Sequence, residues 1–423
     1  MSLPKTLADW LRYLETLHPK SIALGLERAR TVYDRLSIVP ACPVFTVAGT
    51  NGKGSTSAFI ERMLAAAGYR AGLYTSPHLL RYNERVRIAG REASDDELVD
   101  AFQTIEAVRG DVPLTYFEFG TLAALWLFVR ARLDALVLEV GLGGRLDAVN
   151  IVDADVALVT TIALDHVDYL GATREDIGRE KAGIFRPGRT AVCEDPNPPA
   201  SLVEHARAIG APLLRRGIDF DARIEDKQWR YSGPSDAKYS LPHPALRGRH
   251  QIANAAAALT AIETLRDRLP VNMGAIRDAL VGIELAGRLQ VLPGRPVIVL
   301  DVAHNPEAVS VLAENLGAMR FHPQTIAVFA IMADKDIDGV IAAVRARVER
   351  WLVATLPPPR GATAEQLRQR LEKAGVSPNA IERFETPDAA YAAARGMATE
   401  ADRIIVFGSF LTVAAALAVQ LRS

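Results

Sequence analysis

Val47-Ala48-Gly49-Thr50-Asn51-Gly52-Lys53-Gly54-Ser55-Thr56 is the stretch that decides the fold. A short apolar run, Val44 to Val47, enters glycines, then a lysine. Small hydroxyl residues follow and open a helical stretch from Ser55 to Ala67. Glycines let backbone N–H groups approach phosphate oxygens closely, and a helix N-terminus adds positive potential. Gly49, Thr50, Asn51, Gly52, Lys53, Gly54 and Ser55 are therefore the candidate phosphate contacts, with Lys53 neutralising β- and γ-phosphates. The match to the P-loop pattern departs twice. Val47 stands where the first glycine belongs, and Gly54 follows the lysine in place of Ser or Thr. A glycine turn that merely packs a helix on a sheet is the weaker reading, because the strand–turn–helix context is right.

Outward from this stretch the same alternation continues. Leu133 to Val140 reads as a strand ending in Gly141, Gly143 and Gly144. Val156 to Ile162 is a β-branched strand that ends near Asp165 and His166, and Arg174 to Ile184 has helical periodicity. Pro212 to Pro244 is polar and turn-rich and reads as a small antiparallel excursion. An Ala-rich helix, Gln251 to Leu265, follows. A second alternating series runs through Pro296 to Asp301, Thr325 to Ile331, Trp351 to Thr355 and Arg403 to Phe407. The expected fold is α/β: a P-loop-type, mainly parallel sheet domain over residues 1–286, then a smaller Rossmann-like α/β domain over 287–423. The boundary is placed near Leu285 to Gly294, where Gly287, Pro293, Gly294 and Pro296 cluster. In such sheets ligands bind outside the carboxyl ends of the strands, which is where the chemistry-bearing residues fall.

Bulk composition narrows the function classes. The chain has 423 residues, 49% of them hydrophobic, with 49 Lys and Arg against 50 Asp and Glu, a net charge of -1. No global basic field exists to collect nucleic acid or an anionic membrane. Two unpaired cysteines, Cys42 and Cys193, argue for a reducing compartment and against a Cys-ligated metal. No signal-peptide pattern or membrane-length apolar run is visible, so the expectation is a cytoplasmic protein.

Several further segments carry chemistry. Glu139 ends an apolar strand beside glycines, where a hard carboxylate oxygen suits Mg²⁺; a solvated strand-end charge is the plain alternative. His166, flanked by Asp165 and Asp168, lies at the same kind of edge. Asp301 and His304 follow a strand near a helix start. No Ser–His–Asp or Cys–His set stands out.

The variant Gly-Thr-Asn-Gly-Lys-Gly-Ser resembles the ATP site of the Mur ligase superfamily. The resemblance is closest to its dihydrofolate/folylpolyglutamate synthase branch. It extends through Tyr74-Thr75-Ser76-Pro77-His78, Arg81-Tyr82-Asn83-Glu84-Arg85-Val86-Arg87 and Thr115-Tyr116-Phe117-Glu118-Phe119. It continues at Glu139 to Asp147, Leu164-Asp165-His166, Arg179-Glu180-Lys181-Ala182-Gly183, Asp301 to Pro306 and Gly408-Ser409-Phe410.

That resemblance implies an amide ligase that uses ATP to activate dihydropteroate, or the γ-carboxyl of a reduced folyl-(poly)glutamate, as an acyl phosphate and then joins L-glutamate to it. It implies Ser76, Glu139, His166 and Lys181 as the set around two magnesium ions. Lys181, read plainly a solvated helix lysine, corresponds to a lysine carbamylated in the family. Asn254 corresponds to an adenine contact, Arg288 to a phosphate-binding arginine, and Asp301 and His304 to groups on ribose and phosphates. Lys335 and Ser409 are candidates for gripping glutamate. Phe117, Asp147 and Ala148 are candidates for the pterin, and Arg81 and Arg85 lie in an expected loop over the folate. With these small-molecule partners and no nucleic acid or membrane, a monomer is expected. Ligases acting on peptidoglycan precursors carry an extra N-terminal domain, for which a phosphate loop opening at Gly49 leaves no room. A non-catalytic nucleotide switch would need neither the second domain nor the metal set.

Overall fold

The computed structural model describes residues 4–20, 22–234 and 237–422. The chain divides into two compact units. One is Met1–Ala245 with Gln251–Ile283, the other Leu246–His250 with Glu284–Ser423.

The first unit is built on eight strands: β1 Val44–Ala48, β2 Ala71–Tyr74, β3 Val86–Ile88, β4 Arg91–Glu92, β5 Ala135–Glu139, β6 Val156–Val159, β7 Thr190–Cys193 and β8 Leu213–Arg215. Their order in the sheet is β4-β3-β2-β5-β1-β6-β7-β8. Pairing is parallel from β2 to β8 and antiparallel at β2–β3 and β3–β4. The central strands β1 and β5 are buried at every residue. This is the reading of a strand covered by helices on both faces, and it explains why they look like continuous apolar runs. Asp221–Ile224 (β9), Trp229–Ser232 (β10) and Lys238–Leu241 (β11) form a separate antiparallel sheet, as expected of the turn-rich stretch, but the start of that stretch is β8, which pairs parallel to β7 in the main sheet.

One expectation holds only in part. Arg81 to Arg85 lie in the connection between β2 and β3, but Arg81 to Arg87 is not loop throughout. Tyr82–Arg85 is a 3-10 turn and Val86 starts β3, which pairs with β2. Tyr82, Val86 and Ile88 are buried, and burying the alternating Val86 and Ile88 ties the segment to the sheet.

The second unit carries β12 Gln290–Leu292, β13 Val297–Leu300, β14 Thr325–Phe329, β15 Arg350–Ala354, β16 Ile381–Phe384 and β17 Arg403–Phe407. The order is β12-β13-β17-β14-β15-β16, parallel except for β12. Its core includes rings from three adjacent strands. Phe329 lies 4.9 Å from Phe407 and 5.7 Å from Trp351, centroid to centroid. Among the described residues, no helix is long and apolar enough to cross a membrane.

Trp351 is fully buried in that ring cluster. Trp351→Ala is expected to destabilise the second unit by about 3–5 kcal/mol through lost burial and a residual cavity. Denaturant unfolding followed by circular dichroism checks this; an unchanged transition would contradict the packing described.

Candidate active site

Four neighbouring strands of the first unit, β2, β5, β1 and β6, end on one edge. At or just beyond those ends are Thr75-Ser76, Glu139 as the last residue of β5, Gly49 to Ser55, and Thr160 to His166. The register sets Val47 beside Glu139 and Ala48 beside Val159, so the parallel sheet itself aligns these groups.

The turn after β1 is shaped by two glycines. Gly49 has φ +151, and a Cβ there would lie 1.7 Å from Thr160 Oγ1. Gly52 has φ +89, and its Cβ would lie 2.5 Å from Asn254 Oδ1. Other residues rarely take these conformations, and here no space exists for them. Thr50 N–H donates to Thr161 O at 2.7 Å, and the Thr160 hydroxyl donates to Asn51 O at 2.6 Å. The turn is thereby fastened to the end of β6. The helix Lys53–Ala66 starts directly at the lysine. Lys53 Nζ donates to the carbonyls of Gly49 (3.0 Å) and Thr50 (3.2 Å). Asn254 is buried, takes its donor group to Gln251 Oε1 at 2.9 Å, and lies 3.5 Å from Thr56 Oγ1.

Lys181 is no solvated surface lysine. It is 3% exposed, and its Nζ donates to Gly49 O at 2.9 Å. Burial pulls its pKa down to about 7, and the like charge of Lys53 adds to that. Glu139 is also buried. One of its oxygens, Oε2, accepts from the Thr75 hydroxyl and from Ser76 N–H, the latter at 3.2 Å. His166 has left-handed backbone (φ 52) and heads a one-turn helix, with its N–H on Asp165 Oδ1 at 2.8 Å.

The residues expected at a pterin have identifiable local tasks. Phe117 lies in the first turn of the helix Tyr116–Ala131, and its ring covers Gly141: a Cβ on Gly141 would come within 2.6 Å of it. Asp147 caps the 3-10 turn Ala148–Ile151, accepting from Leu142 N–H (2.9 Å) and Val149 N–H (3.0 Å). Burial pushes its carboxyl up to about 7. Ala148 is buried beside it. Arg85 donates to His78 Nδ1 at 2.8 Å and sits over the Tyr82 and Tyr116 rings at 5.3 and 5.4 Å. Arg81 is exposed, 3.9 Å from Asp95.

In the second unit the candidates also follow strand ends. Asp301 and His304 come after β13, Ser409 after β17 and Lys335 after β14, three adjacent strands. Asp301 accepts from Leu289 N–H and Ala303 N–H, both at 2.8 Å, and burial raises its pKa. His304 Nδ1 meets the Val302 carbonyl at 2.8 Å. A carbonyl only accepts, so Nδ1 carries the proton. Ser409 is buried and caps the helix Phe410–Arg422 by accepting from Thr412 N–H at 3.0 Å. Lys335 lies in a tight turn, its N–H on Met332 O at 3.2 Å. Arg288 rests over the Phe410 ring at 5.1 Å.

Sequence reasoning missed three residues. Thr75 holds Glu139, Thr160 backs the phosphate turn, and Phe410 meets Arg288. Thr75 and Phe410 stood inside recognised segments, but a hydroxyl or a ring at a strand end gives no signal of its partner.

Two family profiles match this chain: the Mur ligase middle domain over residues 47–262 and the Mur ligase glutamate ligase domain over 287–410. The dihydrofolate synthase/folylpolyglutamate synthase of Escherichia coli (strain K12) is 47% identical over 409 residues, covering 96% of this chain and 94% of that protein. That of Haemophilus influenzae is 39% identical over 427 residues, covering 96% of each. A solved structure of E. coli FolC in complex with DHPP and ADP superposes with a TM-score of 0.92 at 47% identity, covering 99% of both chains. A bifunctional folylpolyglutamate synthase/dihydrofolate synthase with Mn, AMPPNP and L-glutamate bound gives 0.91 at 47% identity, covering 99% of this chain and 98% of the other. With a glycine- and lysine-bearing turn at a strand end in one unit, a second α/β unit, and relatives that match along nearly the whole chain, the protein belongs to the dihydrofolate synthase/folylpolyglutamate synthase family of Mur ligases.

Proposed function

We propose that this chain is a cytoplasmic, monomeric ATP-dependent ligase that joins L-glutamate to dihydropteroate and to the γ-carboxyl of reduced folyl-(poly)glutamates. The observation that carries the reading is the alignment of Lys53, Lys181, Glu139 and Ser76 around the strand ends of β1, β5 and β2. Residues 1–286 supply the phosphate turn and residues 287–423 the groups for glutamate and ribose.

In this reading a substrate carboxylate oxygen attacks the γ-phosphorus of ATP, the bond to ADP breaks, and an acyl phosphate forms. The glutamate nitrogen then attacks the carbonyl carbon. A C–N bond forms, the C–O bond to phosphate breaks, and the nitrogen gives up a proton. Lys53 and the N–H groups of the turn offset charge on the transferring phosphoryl group; no covalent enzyme intermediate is needed. Asn254 contacts adenine. Arg288, Asp301 and His304 hold phosphates and ribose, and Lys335 and Ser409 bind the incoming glutamate. Phe117, Asp147, Ala148, Arg81 and Arg85 contact the pterin and its tail.

The donor chemistry fits magnesium. Glu139 offers a buried carboxylate beside Ser76. Among the described residues no group of three or more His, Cys, Asp or Glu forms a protein-only cage, and magnesium usually keeps water and phosphate oxygens. Ser76, Glu139 and His166 would hold two such ions, which supply charge neutralisation on the phosphates. Lys181 joins that set as a carbamate. Carbamylation needs the neutral amine, which a pKa near 7 provides at ordinary pH.

Three measurements test this reading. The purified chain with ATP, Mg²⁺ and L-glutamate is expected to form dihydrofolate from dihydropteroate and to lengthen tetrahydrofolate by glutamate, read by mass spectrometry. Product only from the folate would make it a monofunctional folylpolyglutamate synthase; no product from either would sink the proposal. Lys53→Ala is expected to lose roughly 100-fold or more in turnover with a near-native circular dichroism melt.

The Lys181 carbamate, followed by carbon NMR with labelled bicarbonate, is expected to rise as pH passes upward through about 7. The sign follows from chemistry: the ammonium lost on the way up is the form that cannot add CO₂. Lys181→Ala should lose most activity and regain part with acetate. An active Lys181→Ala variant with no carbamate signal in the native chain would refute the modification.

A further inference from the structure

Arg288 is held more firmly than a surface arginine needs to be. Its neighbours Gly287 (φ 68) and Leu289 (φ 46) both take left-handed backbone. For a bulky leucine that conformation is costly and persists only when its surroundings enforce it. Asp301 enforces it: one carboxylate oxygen accepts from Leu289 N–H and the other from Ala303 N–H, each at 2.8 Å. Val302 N–H donates to Gly287 O at 2.9 Å. The backbone on either side of Arg288 is thus stapled to the segment that carries His304.

The side chain donates from Nη1 to Gly287 O at 3.3 Å and lies over a ring. The Arg288 guanidinium carbon lies 5.1 Å from the Phe410 centroid. The His304 imidazole is tilted at 56° against the same ring, with centroids 6.3 Å apart. Phe410 cannot drift, because it opens a helix capped by Ser409. It also follows Gly408 (φ +107), where a Cβ would meet Ala330 O at 2.6 Å.

We propose that Phe410 is a positioning residue whose ring presents the Arg288 guanidinium and the His304 imidazole together to the nucleotide phosphates. This rests on the assignment of Arg288 and His304 made above. A long, flexible arginine loses rotamer freedom when it grips an anion, and a ring that pre-sets it lowers that cost. The attraction depends on the ring quadrupole, so an aliphatic side chain of similar bulk keeps the packing and loses the hold.

Steady-state kinetics of Phe410→Leu, Phe410→Tyr, Arg288→Ala and the Arg288→Ala/Phe410→Leu double variant test the idea. Phe410→Leu is expected to raise the KM for ATP by about fivefold to tenfold with a near-native melt, and Phe410→Tyr to stay within about twofold of the parent. The double variant should fall below Arg288→Ala by a smaller factor than Phe410→Leu falls below the parent, because the part of the ring's effect that runs through the cation is already lost and only the part through His304 remains. If Phe410→Leu loosens the fold, Phe410→Met replaces it. A parental KM in Phe410→Leu beside an impaired Arg288→Ala overturns the proposal, as does equal damage from Leu and Tyr. A parental KM in Arg288→Ala overturns the assignment of Arg288 instead.

Discussion

The carbonyl oxygen of Gly49 accepts hydrogen bonds from two lysines, Lys53 at 3.0 Å and Lys181 at 2.9 Å. Two ammonium groups on one oxygen, one of them buried, repel each other strongly in a low dielectric. The arrangement is tolerable because Lys181 loses its proton near pH 7. Gly49 itself has no room for a side chain in front of Thr160. The turn, the end of β6 and the helix that carries Lys181 must therefore be built together.

The helix Arg174–Ala182 is docked accordingly. A Cβ on Gly144 would lie 2.9 Å from Glu180 O, and Arg145 N–H donates to that oxygen at 2.8 Å. Asn150 donates to the carbonyls of Arg145 (3.0 Å) and Gly183 (3.1 Å). The glycine-rich loop after β5 thus packs directly on the lysine helix. Lys181, on that helix, is thereby tied to the loop that follows Glu139 at the end of β5.

Much of this was legible in the sequence. β1, β5 and β6 announced themselves as apolar runs, and β13, β14, β15 and β17 did the same in the second unit. Buried parallel strands read that way because both faces are covered. β2, β3, β4, β7, β12 and β16 escaped notice, since segments of two to four residues such as Gln290–Leu292 are too short to show a period. The loop expected at Arg81 to Arg87 came from the resemblance alone, and the pairing of Val86, Arg87 and Ile88 with β2 has no local signal among so many charges. The burial of Lys181 was not legible at all. Its helix is polar, and the contact with Gly49 O spans 132 residues of sequence. Pairings of that range, like Arg288 with Phe410, are set by the finished fold and leave no local trace.

The central claim is that phosphate leaves from an activated substrate carboxylate and not from water-driven hydrolysis of ATP. Dihydropteroate labelled with heavy oxygen in its carboxylate tests this directly. During turnover with ATP and L-glutamate, one labelled oxygen is predicted to appear in the released inorganic phosphate, because the acyl phosphate carries it across. Phosphate free of label, with amide formed at the normal rate, would contradict the account.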